Sequence, residues 1–409
     1  MKIVWIIDNK FRELYGLYDL KKKLLNHNIK IYFFYLPIWK SAIDFINPNI
    51  VIVPNLYHSS CEPIVNYVKK KGIDIFMHSS EGMFYTNEIQ KAKYPDHLVK
   101  KLKKIFVWGK LDKKYLITKG YKNKIIESGC LKFDKKNYLK KERLRKKKKI
   151  RVIGIPTHLR LITGSGISKQ NIPYGIRKHF RQRRFSKLGY LKFEFEYIEL
   201  VSKIIEKINN KFKIVIKVSP FEDPEIYKYA FPELEIHKGN DVREFINSVD
   251  VVLNVYSSIS VDTLKYNVPV INLSKLVKWD EYILKNKKLG PSPSSYPSAV
   301  NLGIKAKNFN DLNHLLKKDQ KYLLNLCKKS NFFNQANDLA GTFNSLEIFT
   351  NFFVNYKKKV KSKPFNYFKF IKYFLVEIKL LLFGRPKPAN FKRWKLSDRK
   401  LMYNFRIYE

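Results

Sequence analysis

The sequence predicts an α/β protein of two doubly wound domains, each a parallel sheet with helices on both faces, with a helical tail behind them. Three observations carry that prediction. Short β-branched runs alternate with amphipathic segments of helical period from Ile3 onward, the pattern of parallel strands joined by crossover helices. The run KKNYLKKERLRKKKK, Lys135 to Lys149, is too charged for a core and interrupts the series, which restarts at Ile150. At 409 residues the chain has the length for two full cores, and 45% hydrophobic with 15% aromatic residues excludes a disordered protein despite the charge. The expected division is 1–134, a basic linker 135–149, a second domain 150–357 and a basic amphipathic tail 358–409.

In the first domain Ile3 to Ile7 reads as a strand and Arg12 to Asn26 as a helix, with Leu14, Leu17, Leu20, Leu24 and Leu25 at helical spacing. Ile29 to Phe34, Ile50 to Val53, Ile73 to Met77 and Ile105 to Trp108 supply further strands, with helices at Pro63 to Lys71 and Asp112 to Lys119. No G-x-G-x-x-G follows the first strand, so a nicotinamide-type dinucleotide site is not expected. The fourth strand runs into MHSSEGMF. There His78 and Glu81 stand at a strand's carboxyl end, where open α/β sheets place ligands, and such a pair can supply a general base and an orienting partner. The plainer alternative is a helix N-terminus capped by Ser79 or Ser80 and favoured by Glu81.

The second domain opens with Ile150 to Ile155 and then Pro156-Thr157-His158, where a lone His is more often structural than a ligand. Arg160 to Gly189 has little periodicity and reads as a lid, a lipid-facing segment or a solvated insertion. Phe193 to Ile208 is an amphipathic helix, and Phe212 to Val218 a strand that ends in Lys217. Leu234 to His237 and Val242 to Ser248 precede the most informative stretch, VVLNVYSSISVDTLKYNVPVINLS. Two β-branched runs flank a short helix there, a βαβ unit whose helix starts at Ser257 and Ser258. Serine hydroxyls at such a start suit a phosphate; equally, they suit simple capping. Helical period resumes over Asn310 to Cys327 and Ala336 to Tyr356.

The segment Ser257-Ser258-x-x-x-Asp262, followed by Pro269-Val270-Ile271, resembles the donor-nucleotide segment of GT-B glycosyltransferases. It is most similar to the versions in bacterial surface-carbohydrate biosynthesis proteins and CDP-glycerol-dependent glycerophosphotransferases. Trp108, Gly109, Gly129, Phe133 and Asp134 resemble the crossover at the end of the first domain in both. The chain departs from them at Lys265 to Val268, where relatives often have Gly-Lys, and at Ser219, where they often have His. The resemblance implies two Rossmann-like domains facing across a cleft. It also implies donor binding by Ser257, Ser258, Asp262, Lys217, Thr157 and His158, with Glu81 or His78 as the base. No metal and no cofactor are implied, because helix dipoles and basic side chains neutralise the leaving diphosphate. The donor is a substrate.

The activity expected is glycosyl transfer from a nucleotide-sugar donor to a surface polysaccharide or lipopolysaccharide, on a glycan or lipid-linked acceptor. Alternatives are a glycerophosphotransferase, a sugar-nucleotide epimerase and a non-catalytic membrane-associated scaffold. The formal net charge of +46 fits an anionic membrane surface; nucleic acid is not expected, since no recognised module is present, and codon bias toward Lys, Asn and Ile is the plain alternative. Cys61, Cys130 and Cys327 form no disulfide or metal pattern, which with the missing secretion signal points to the cytoplasm. In the tail, Pro364 to Gly384, Lys369, Lys372 and Lys379 share one helical arc against Phe368, Ile371, Phe374, Leu375, Ile378 and Leu382. That profile suits a helix lying on the inner face of the membrane, or one packed back on the first domain.

Overall fold

Among the described residues twelve strands form two parallel sheets, and the alternation read in the sequence is their origin. In this computed structural model the described residues are 1–7, 10–35, 39–56, 61–80, 90–91, 93–134, 149–157, 159, 188–208, 210–219, 222–237, 242–255, 257–277, 302–341 and 344–357. They fall into two units, one from the described residues up to 134 together with 341–357, the other from 149–340.

The first unit contains β1 (Lys2–Ile7), α1 (Lys10–Leu25), β2 (Lys30–Tyr35), α2 (Trp39–Ile46), β3 (Ile50–Val53) and α3 (Cys61–Lys70). It continues with β4 (Asp74–His78), α4 (Asp96–Val99), β5 (Lys104–Val107), α5 (Lys110–Thr118) and β6 (Ile125–Glu127). Strand order is β2-β1-β3-β4-β5-β6. Every residue of β1 and of β3 is buried, as expected for strands covered on both faces. Val4, Ile6, Val51, Val53, Ile75 and Val107 pack under α2, α3 and α5. Ile3, Trp5, Ile52, Phe76 and Phe106 face α1 and the last described helix, Ser345–Lys357.

That last helix is where the expected division fails. Residues 345–357 were to close the second domain; instead Leu346, Phe349 and Phe353 complete a core of the first unit. The single helix expected over Ala336 to Tyr356 is broken at Gly341, whose φ is +78°. A Cβ there would stand 1.9 Å from Trp108 O and 2.5 Å from Gly129 Cα, so only glycine lets the chain pass.

The second unit holds β7 (Val152–Pro156), α6 (Leu188–Ile208), β8 (Lys213–Lys217), α7 (Pro224–Ala230), β9 (Glu235–His237) and α8 (Val242–Ser248). Then come β10 (Val251–Asn254), α9 (Ile259–Lys265), β11 (Val270–Asn272), β12 (Ile304–Lys305), α10 (Phe309–Leu316), α11 (Gln320–Lys329) and α12 (Phe332–Ala340). The first unit's closing helix is α13 (Ser345–Lys357). Strand order β12-β11-β10-β7-β8-β9 is that of a dinucleotide-type doubly wound sheet, reversing direction between β7 and β10. Gly154 lets Phe245 of α8 lie on β7, since a Cβ would meet its ring at 2.6 Å. Among the described residues no helix is long and apolar enough to cross a membrane.

Candidate functional site

In doubly wound sheets ligands gather beyond the strands' carboxyl ends, at the point where strand order reverses. Each unit has such an edge, built as follows.

In the first unit β4 runs one residue further than its apolar pattern suggests, so His78 ends the strand instead of following it. Its imidazole is 5% exposed and lies edge-on to Trp5 at 5.5 Å and to Phe349 at 5.2 Å, with Trp108 at 6.4 Å. Burial pushes its pKa down to about 4, with Lys93 contributing and a hydrogen bond with the Gly129 backbone opposing. The ring is thus neutral at pH 7, and Nε2 has no hydrogen-bond partner among the described residues. Trp108 Nε1 donates to Ser79 O at 2.8 Å, and Ser80 N to Pro54 O at 2.8 Å. The chain is therefore fixed up to Ser80, and Ser79 and Ser80 are 1% exposed. Glu81 lies outside the described residues.

A buried ion pair accompanies it that the sequence did not reveal. Lys93 Nζ donates to Asp112 Oδ2 at 2.6 Å with the two side chains 1% and 0% exposed. Asp112 sits in the first turn of α5, where the helix dipole favours a carboxylate, and its Oδ1 has no hydrogen-bond partner among the described residues.

In the second unit the turn after β10 is held by Asn254, a residue not singled out in the sequence. Fully buried, it accepts from Ser257 N at 3.0 Å and donates to Ser257 O at 2.9 Å. Asn272, its register partner on β11, fixes its own turn likewise, accepting from Ser274 N at 2.9 Å. Ser258 occupies the N-cap position of α9 but its side chain caps nothing. Ser257 Oγ takes that part weakly, accepting from Ile259 N at 3.4 Å. Ser260 N and Val261 N are engaged with Ser257 O and Ser258 O at 3.4 and 3.1 Å. The amides at the start of α9 are therefore engaged, whereas an open helix end would leave them free; the half-exposed serines are the turn's polar face. Asp262 is 5% exposed within α9.

Beside this turn, just past the end of the neighbouring strand β7, stands Thr157, and at the end of β8 beyond it Lys217. Two strand spacings, roughly 10 Å, separate the β8 end from the Ser257 turn. Both residues are turned inward. Lys217 is 5% exposed and its Nζ donates to Val218 O at 3.0 Å. Thr157 Oγ1 donates to Glu222 Oε2 at 2.7 Å. Glu222, also unmarked in the sequence and 3% exposed, additionally accepts from Ser219 N at 2.9 Å, from Tyr227 OH at 3.4 Å and from Leu159 N. One carboxylate thus ties the loops after β7 and β8 together. His158 lies outside the described residues.

No family model and no curated protein matches the sequence. Solved structures do match. The UDP-GlcNAc 2-epimerase of Methanocaldococcus jannaschii in complex with UDP-GlcNAc and UDP is 12% identical, with TM-score 0.52 over 87% of this chain and 100% of that one. S. aureus MnaA with UDP is 13% identical, TM-score 0.51, over 90% and 99%. The wall teichoic acid polymerase TagF with CDPG is 10% identical, TM-score 0.52, over 88% of each chain. Identities so low speak of fold alone, and with two parallel six-stranded α/β sheets they show that this chain has the GT-B fold of two Rossmann-like units.

Proposed function

We propose that the chain is a transferase that moves a glycosyl group from a nucleotide-sugar donor to a hydroxyl of a surface glycan or lipid-linked acceptor. The observation that carries the proposal is the second unit's switch point, where Asn254 presents the Ser257–Ser258 turn beside the loop after β7. Solved proteins of this fold hold UDP, UDP-GlcNAc and CDPG. In this reading the serine hydroxyls donate to the diphosphate and Lys217 turns outward to it. Asn254 and Glu222 keep the loops in place. The acceptor oxygen attacks the anomeric carbon, the bond from that carbon to the phosphate oxygen breaks, and the nucleoside diphosphate leaves with the electron pair. The acceptor proton goes to a carboxylate on the turn beyond Ser80, which is Glu81. His78, neutral and enclosed by aromatic rings, anchors that turn.

The test is thermal unfolding with UDP, CDP, GDP and their sugar or glycerol conjugates. At least one should raise the melting temperature, since a ligand of the native state stabilises it. Ser257→Ala/Ser258→Ala should abolish the shift while leaving the unliganded melting temperature within a few degrees. Failure of every nucleotide to bind would sink the proposal. Because the chain spans all of the Methanocaldococcus epimerase, donor epimerisation is the second reading; solvent deuterium entering the donor sugar without an acceptor would establish it.

A further inference from the structure

In a parallel α/β sheet each crossover helix ends where the next strand starts, so helix C-termini and strand N-termini share one edge. In the first unit that edge is loaded with lysine. Lys21, Lys22 and Lys23 end α1 ahead of Lys30 on β2, and Lys69 and Lys70 end α3 with Lys71 behind them, ahead of β4. Lys100, Lys101, Lys103 and Lys104 lead into β5. Lys119, Lys122 and Lys124 lead into β6. Lys357 of α13 reaches the same edge, donating to His27 O at 2.8 Å. Lysines from different turns face each other, for burial and then the charge of Lys69 push the Lys124 pKa down.

The carboxylates nearby are few and engaged. Asp44, Asp74 and Asp96 pair with Lys71, Lys103 and Lys100 at 2.6, 3.1 and 2.8 Å. Helix-end complementarity explains lysines in a last helical turn and Lys124, whose Nζ donates to the Val99, Lys100 and Leu102 carbonyls at the end of α4, but not those at 101, 104 and 122, of which Lys101 and Lys104 donate to Asn66 Oδ1 and Asn123 O. Compositional bias acting evenly would load the second unit equally. Among the described residues, the corresponding edge there sets Lys149, Arg151, Lys207, Lys211, Lys213 and Lys228 against Glu206, Glu225, Glu233, Glu235 and Asp250, with Lys213 bound to Glu235 at 2.7 Å and Lys228 to Glu225 at 3.4 Å. The surplus belongs to the first unit.

We infer that the strand-start edge of the first unit is a docking surface for an anionic phospholipid bilayer. None of its junction residues is arginine, the side chain whose planar fork grips a phosphate or a guanine edge in fixed geometry. Lysines act as mobile point charges, which suits a fluid array of headgroups. Tyrosines are interleaved with them: Lys71 lies 5.1 Å from the Tyr67 ring centroid, Lys103 5.5 Å from Tyr356 and Lys124 5.8 Å from Tyr121. Tyrosine is favoured at the bilayer interface, its ring apolar and its hydroxyl wet. The edge is opposite the one where His78 stands, so docking leaves that turn uncovered. The inference does not depend on the transferase reading.

Sedimentation of the full chain with phosphatidylcholine vesicles, with and without phosphatidylglycerol, tests it. A variant carrying Lys23→Gln, Lys70→Gln, Lys119→Gln and Lys122→Gln, all exposed, should bind the anionic vesicles at least about tenfold more weakly. A charge-matched control, Lys211→Gln, Lys305→Gln, Lys321→Gln and Lys329→Gln in the second unit, should bind nearly as the parent does. Circular dichroism checks that both remain folded. Equal weakening in both would reduce the effect to net charge and overturn the inference. So would unchanged vesicle binding in the first variant, including the case where it loses affinity only for a random-sequence DNA duplex.

Discussion

At the scale of the residue, His78 is an imidazole held away from water, 5% exposed among aromatic rings. Its ordinary pKa of 6.5 falls to about 4 in the folded chain. Between those values the unfolded chain takes up a proton that the folded one refuses. Stability accordingly falls as pH drops from 6.5 toward 4, by roughly 3 kcal/mol from this group alone. Above pH 6.5 both states are neutral here and the group adds no pH dependence. Urea unfolding of the parent and His78→Gln at pH 7 and pH 4.5 should show a smaller acid loss in the variant; an identical loss would mean that His78 is hydrated. His78 and Ser257 were legible because a strand end and a small-residue turn are local patterns. Asn254, Glu222 and the Lys93–Asp112 pair were not. Their partners are loop amides, a hydroxyl and a charge up to 65 residues away, and no periodicity marks a buried carboxylate that is satisfied from a distance.

At the scale of the element, strands were easy to read and helix membership was not. A run such as IVIV in β3 is buried on both faces and has one interpretation. The last helix has the right period for either core, and nothing in Phe349 or Phe353 says which sheet it covers. What decides is a close passage. Gly341 slips past Trp108 and Gly129, after which Asp134 Oδ2 accepts from Leu346 N at 2.7 Å and caps α13 from 212 residues away. Trp108, Gly129 and Asp134, singled out in the sequence as crossover residues, meet the returning chain here. Gly341→Ala adds both a left-handed strain and a clash with backbone atoms, so it should cost on the order of 3 kcal/mol or more. Equilibrium urea unfolding measures it, and a cost under about 1 kcal/mol would show that the passage relaxes freely.

At the scale of the whole molecule, the first unit is assembled from two distant stretches of chain, and its core is incomplete until residue 357 is made. Phe349 stacks within 4.6 Å of Phe106 and 5.7 Å of Trp5, and Phe353 lies over Phe76 at 6.4 Å. Burying Leu346, Phe349 and Phe353 contributes about 1.5–3 kcal/mol each, a sum comparable with the net stability of a domain, about 5–15 kcal/mol. The tail expected over 358–409 lies outside the described residues. Two truncations therefore have opposite expectations. A chain ending at Lys357 retains α13 and should keep the near-ultraviolet dichroism of Trp5 and Trp108. A chain ending at Ala340 should lose the ordered signal of Trp5 and Trp108 and bind a hydrophobic dye, while the second unit, whose described elements end there, still unfolds cooperatively. A peptide spanning 341–357 added to the shorter chain should restore the tryptophan signal with saturation, by mass action on the folded state. If the Ala340 truncation unfolds as the full chain does, α13 is dispensable to the first core and the close passage at Gly341 has no energetic role.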